Sequence, residues 1–127
     1  MASFTVKNLI DDIDDSAAQV DGIEARFGRS HIDSEHLGVT LMRYDAGVRS
    51  PMAHRHKTQE EAYVVVSGSG KVKLDDEIRE LVQWDLVRVA PEVARAFEAG
   101  DDGLVVVAVG NDRPEGGDGE RVDDFWD

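Results

Sequence analysis

From residue 23 onward the apolar residues of this chain recur in short, β-branched runs instead of at helical spacing. Eight such runs stand out, at residues 23–29, 37–44, 62–67, 71–74, 78–82, 86–89, 95–98 and 104–109. Val, Leu, Ile and aromatic residues supply most of their apolar positions, and these suit a pleated, half-buried surface. Turn-forming groups separate the runs: Asp45-Ala46-Gly47, Ser67-Gly68-Ser69-Gly70, Asp75-Asp76, Ala90-Pro91 and Gly100-Asp101-Asp102-Gly103. The Ser67–Gly70 group resembles a phosphate loop in composition, but it precedes a strand and reads as a hairpin turn. No stretch carries a convincing helical period, and no internal repeat is visible. Short strands at near-regular spacing predict an all-β sandwich or barrel rather than a parallel α/β sheet.

The two ends differ from this middle. Phe4-Thr5-Val6-Lys7 has the composition of a short opening strand, whereas Asp11-Asp12-Ile13-Asp14-Asp15 is too charged for a core element and reads as a loop or one helical turn. After Gly110 the chain turns rich in Gly, Asp and Glu, the composition of a loosely ordered tail. Phe125 and Trp126 close it with apolar area suited to docking on the barrel or on a partner subunit. The expected organisation is an N-terminal arm over 1–22, a barrel over 23–110 and an acidic tail over 111–127.

Composition narrows the function classes. A chain of 127 residues fits one domain with a real core. It has no cysteine, which removes disulfides and thiolate chemistry. No apolar run approaches the roughly 18–20 residues of a membrane helix, and Met1–Val6 carries no basic-then-apolar leader, so a cytoplasmic location is expected. The net charge of −13 opposes binding to nucleic acid or anionic membranes. Much of that charge lies in 11–15 and 112–127, so it bears on solubility more than on a site.

The chemistry concentrates in residues 47–68. His54 and His56 stand at i and i+2, so on an extended strand both imidazoles project from one face. Glu61 opens the next apolar run. Two neutral imidazoles and a carboxylate suit Zn, Mn, Fe or Ni. Tyr63 shares the face of Glu61 and offers a phenol to a ligand; Gln59 stands in the loop before it, at the mouth. His31 and His36 lie outside this cluster and read as surface residues.

This stretch resembles the first motif of the cupin superfamily: Gly, a spacer, His-x-His, three or four residues, Glu, six residues, Gly. Gly47, His54, His56, Glu61 and Gly68 fill those places, with a spacer one residue longer than usual. The resemblance covers Gly38 to Gly110. It implies a double-stranded β-helix, or jelly-roll, barrel with a divalent metal on His54, His56 and Glu61. A second cupin motif normally supplies a last histidine. In strict register its places hold Trp84 for Gly, Ala90 for Pro, Glu92 for Gly, Arg95 for His and Ala99 for Asn.

Arg95 cannot ligate a metal, because its guanidinium stays protonated and has no acceptor. It is expected to face inward, with Phe97 on the same face as a wall; Arg43 is a further candidate for an inward cation. Either Arg95 grips an anionic ligand group beside a three-ligand metal, or it pairs with Glu61 and no metal binds. The functional expectation is thus a small-molecule-binding cupin, of metal-dependent oxygenase or isomerase type. Its alternative is a metal-free, non-catalytic binding or sensing barrel held by a Glu61–Arg95 pair. No residue stands out as a dedicated base, Tyr63 and Glu60 being the nearest. Cupins commonly pair as dimers, so a homodimer is expected, with Phe4–Val6 and Phe125–Trp126 as its contact.

Overall fold

A computed structural model describes residues 3–126 of the chain. Its eight strands are β1 (Ile23–Phe27), β2 (Gly38–Tyr44), β3 (Ala53–His56), β4 (Glu61–Leu74), β5 (Glu77–Val82), β6 (Leu86–Val89), β7 (Arg95–Gly110) and β8 (Gly119–Val122). Every pairing is antiparallel. No helix occurs among the described residues, so none is long and apolar enough to cross a membrane. The all-β jelly-roll barrel expected from the sequence is the fold observed.

The barrel depends on two long strands, β4 and β7, each of which serves both faces. The second half of β7 lies between β2 and the first half of β4, with β1 and β6 outside them. The first half of β7 lies between β3 and the second half of β4, with β8 and β5 outside. Inward positions of the two faces meet in one core that includes Tyr44, Tyr63, Val65, Val72, Leu81, Phe97, Leu104 and Val106.

Here the structure corrects the sequence reading. Ser67–Gly70 and Gly100–Gly103 are not turns but the bends of β4 and β7. The β4–β7 register shifts between Val65 and Ser67 and again between Gly68 and Gly70. Gly68 has φ of +77°, and a Cβ there would overlap the carbonyl oxygen of Gly103 on the facing strand. A bulge at that close approach re-aims each strand from one face to the other. Runs 62–67 and 71–74 are therefore one strand, as are 95–98 and 104–109.

The ends also differ from expectation. Phe4–Lys7 forms no strand. The acidic 11–15 segment is a turn, as expected, yet its single apolar residue, Ile13, is buried. Asp15 Oδ1 accepts the backbone N–H groups of Ala17 and Ala25, fastening the arm to β1. The acidic segment after Gly110 carries β8, which pairs with β3 over Ala53–His56. Phe125 and Trp126 fold back on their own barrel: the Trp126 indole donates to the carbonyl of Ser50 at 2.9 Å, and Arg49 stacks over its ring.

Trp84, in the turn between β5 and β6, has φ of +76° and an exposed side chain. Its backbone N–H donates to Val65 at 2.7 Å, which fixes that conformation. The left-handed region is costly for a bulky residue and explains why glycine is the expected occupant of this place.

Two substitutions test the bends. Gly68→Ala is expected to lower unfolding stability by about 2 kcal/mol or more, because strain and backbone overlap add. Trp84→Gly, which relieves a left-handed residue and uncovers no core, is expected to keep wild-type stability or exceed it. Urea unfolding of the three proteins checks both.

Candidate metal centre

Strand β3 is short and polar, Ala-His-Arg-His, and pleating decides its use. His54 and His56 point to the same side, toward Glu61 at the start of β4, while Arg55 points outward to Glu120. His54 Nε2 lies 3.4 Å and His56 Nε2 3.2 Å from the same Glu61 oxygen, Oε1. The two imidazole rings are 5.1 Å apart and nearly perpendicular. One ligand atom from each of the three residues falls within 4.8 Å of the others. Separations of 3.2 and 3.4 Å match donors sharing one ion at about 2.0–2.2 Å in a roughly tetrahedral arrangement.

The same Glu61 oxygen accepts the Tyr63 hydroxyl at 2.6 Å, and Arg95 Nη2 stands 3.6 Å from it. Burial alone would raise the Glu61 carboxyl, but His54, His56 and Tyr63 outweigh it and hold the group well below the usual carboxylate range. Burial first, then the Glu61 charge, push the Tyr63 phenol well above its ordinary value, so it remains a donor at neutral pH. Arg95 faces inward as expected. Its Cα pairs with that of His54 across the β3–β7 contact, and its side chain has no solvent exposure. Nη1 donates to the carbonyl of Pro91 at 3.4 Å; Nε and Nη2 have no hydrogen-bond partner.

His56 is held from behind by a residue the sequence reading set aside. Asp118, just before β8, places Oδ1 2.8 Å from His56 Nδ1. Its other oxygen accepts the backbone N–H of Thr58 at 2.7 Å, the Thr58 hydroxyl at 3.0 Å and the backbone N–H of Gln59 at 2.8 Å. Burial opposes ionisation of Asp118, but these donors prevail and hold its carboxyl far below normal. An ionised carboxylate only accepts, so Nδ1 carries the imidazole proton and Nε2 presents its lone pair to the site. That Nε2 is buried and has no hydrogen-bond partner, although Glu61 lies 3.2 Å away. Two acceptors facing each other at that distance call for a cation between them. That cation is a metal ion or, in its absence, a second imidazole proton: Glu61 raises the His56 pKa most, burial opposes the rise and Asp118 adds to it.

The cluster borders two chambers that share Phe27, Thr40, His54, Glu61 and Ala108. The inner chamber, about 200 Å³, reaches Tyr63, Arg95 and Phe97. The outer, about 280 Å³, is lined by His56, Gln59 and two arginines, Arg29 and Arg113. A larger groove of about 580 Å³ lies elsewhere, around Ser69–Lys71 and Glu98–Asp101, and none of these cluster residues lines it.

The remaining sequence candidates are sorted by this geometry. Phe97 walls the inner chamber and packs on Tyr63 with ring centroids 5.0 Å apart. Gln59 is buried, lines the outer chamber and donates its amide to the carbonyl of Asn111 at 3.1 Å. Glu60 turns outward to Arg88, and Arg43 turns outward to Glu24, so neither reaches the cluster. His31 and His36 are exposed, His36 against Asp112. Asp118 had no signal in the sequence: it stands among glycines in an acidic segment, and only the β3–β8 pairing brings it to His56.

The profile of the cupin domain family matches residues 40–110. Similar solved structures include a cupin protein from Bacteroides fragilis, 23% identical, covering 90% of this chain and 88% of that one, with a TM-score of 0.73. An oxalate decarboxylase variant from Bacillus subtilis is 24% identical over 85% of this chain, which spans 30% of that one, with a TM-score of 0.71. A sugar phosphate isomerase from Silicibacter pomeroyi is 22% identical, covering 87% of this chain and 69% of that one, with a TM-score of 0.64. At such identities the likeness carries the fold alone. No curated protein matches.

Asp118→Asn tests the support behind His56. One amide oxygen cannot serve both His56 and the three donors from Thr58 and Gln59. With the oxygen kept on those donors, the amide NH2 faces Nδ1 and moves the imidazole proton to Nε2. Affinity for Zn or Ni is then expected to fall by about 10–100-fold. Imidazole nitrogen NMR of the metal-free protein should report the tautomer switch directly.

Proposed function

The chain belongs to the cupin family, and from that premise we propose that it binds a small molecule at a divalent metal held by His54, His56 and Glu61. Zn, Mn, Fe or Ni suits this donor set, and oxygenase- or isomerase-type chemistry on an anionic ligand is the reading that fits best. The observation that carries it is His56 Nε2: buried, unpartnered, fixed in its metal-binding tautomer by Asp118 and aimed at Glu61. A bound dication would supply Lewis-acid polarisation of a ligand oxygen.

The chain's own residues supply positioning. Arg95 lines the inner chamber with a fully buried guanidinium, whose positive charge would favour a carboxylate or phosphate group of the ligand on that side. Tyr63 holds Glu61 by its hydroxyl and keeps its proton, so its role is orientation of the carboxylate. Phe97 supplies an apolar wall to the inner chamber. A second reading is favoured by one distance: Arg95 Nη2 lies 3.6 Å from Glu61, near enough for the pair to balance charge in a metal-free binding barrel.

We extend the proposal to a homodimer. Phe4 and Val6 are 78% and 85% exposed on the arm, while Phe125 and Trp126 are engaged on their own barrel, so the amino-terminal pair is the candidate contact. Light scattering of wild type and of Phe4→Ser/Val6→Ser is expected to show a dimer and a monomer, respectively.

Elemental analysis after metal repletion and dialysis separates the two readings of the site. About one dication per chain, lost in His56→Ala, supports the metal reading; none after repletion supports the Glu61–Arg95 pair. Arg95→His replaces a repelling cation beside His54 with a fourth ligand. It is expected to raise Zn or Ni affinity by about tenfold or more, measured by competition with a chelator. Equal affinities would overturn the inward role given to Arg95.

A further inference from the structure

Acidic residues outnumber basic ones 27 to 14 in this chain, so an arginine without a carboxylate partner is unusual. Of its ten arginines, eight lie within ion-pair distance of a carboxylate: Arg26, Arg43, Arg49, Arg55, Arg79, Arg88, Arg95 and Arg121. Among the described residues the two exceptions are Arg29 and Arg113, and both line the outer chamber beside His54, His56 and Glu61.

Three neighbouring carboxylates are committed elsewhere. Asp112 pairs with His36, Glu60 with Arg88, and Asp118 with His56 and the Thr58–Gln59 backbone. Glu61 is the one carboxylate among the chamber's lining residues. Two guanidinium groups against one carboxylate make this chamber locally cationic in a chain of net charge −13. Arg29 is also fixed in place. Nη2 donates to the carbonyl of Asn111 at 2.6 Å, and the group lies where a side chain at Gly38 would stand, a Cβ there coming within 2.6 Å of Nη2.

We propose that Arg29 and Arg113 form an anion-binding subsite in the outer chamber, so that the ligand carries a carboxylate or phosphate at the end nearest the mouth. This rests on the proposed function in taking the cavity as the ligand site, and it adds the charge and placement of a group that Arg95 in the inner chamber does not reach. Guanidinium forks match either oxyanion, and a chamber of about 280 Å³ limits the ligand to a small compound.

The test uses the full chain, freed of metal by chelation, titrated with inorganic phosphate and separately with succinate. Amide shifts of Gly38 and Asn111 and the Nε–H signals of the two arginines are followed by NMR. Saturable binding of at least one anion is expected, at roughly millimolar dissociation constant. It should weaken at least fivefold in both Arg29→Gln and Arg113→Gln and stay unchanged in Lys71→Gln, a cation outside the chamber. The stronger of the two anions identifies the acidic group.

Absence of saturation with both anions, or wild-type affinity in either arginine variant, would overturn the subsite. Chelator competition for Ni on the same variants keeps the two readings apart. Anion binding in a chain that takes no metal leaves the subsite standing while the metal reading fails. Metal binding without anion binding does the reverse.

Discussion

A guanidinium with no solvent exposure lies beside His54 on the neighbouring strand, and the interior of the barrel is organised around its charge. Burying such a group unpaired costs several kcal/mol, so a compensating anion must stand close. Glu61 provides it, and its own ionisation is secured by the Tyr63 hydroxyl and the two imidazoles. A carboxylate oxygen with that many neighbours cannot satisfy all of them with good geometry. The deficit shows as buried, unpartnered nitrogens on Arg95 and His56, residues that line the two chambers. Polar groups left short of partners in an interior are what a bound ion or ligand makes up.

Much of this arrangement was legible in the sequence because it follows from pleating. Alternation along β4 puts Glu61, Tyr63 and Val65 on one side, and alternation along β7 does the same for Arg95 and Phe97. The spacing from Gly47 through Gly68 identified the family. Strand β3 was missed because its alternation is functional, not apolar: only Ala53 is fully buried, and the inward places hold histidines. Strand β8 has exposed charged residues and no hydrophobic period at all. Glycine-dense stretches were misjudged for a different reason. A local signal cannot distinguish a reversal from a bulge when the deciding contact, between Gly68 and Gly103, comes from a distant strand. Trp84 went the other way: a departure from the usual glycine that the sequence flagged proves to keep the glycine's backbone conformation.

Whole-chain charge and local charge part company here. The acidic excess sits on the arm, the tail and the outer surface, where water screens it. Inside, Arg29, Arg95 and Arg113 line the two chambers around a single carboxylate. An acidic outer surface repels polyanions, and that repulsion says nothing against small anions within.

Asp118 follows His56 by 62 residues. During synthesis both histidines and Glu61 leave the ribosome well before the group that assigns the imidazole its proton. Until β8 pairs with β3, His56 is free to exchange tautomers, and its lone pair has no fixed direction. Any competence of the three donors to hold an ion would therefore mature with the last strand: a chain cut short after Gly110 would keep His54, His56 and Glu61 and lack the carboxylate that orients one of them.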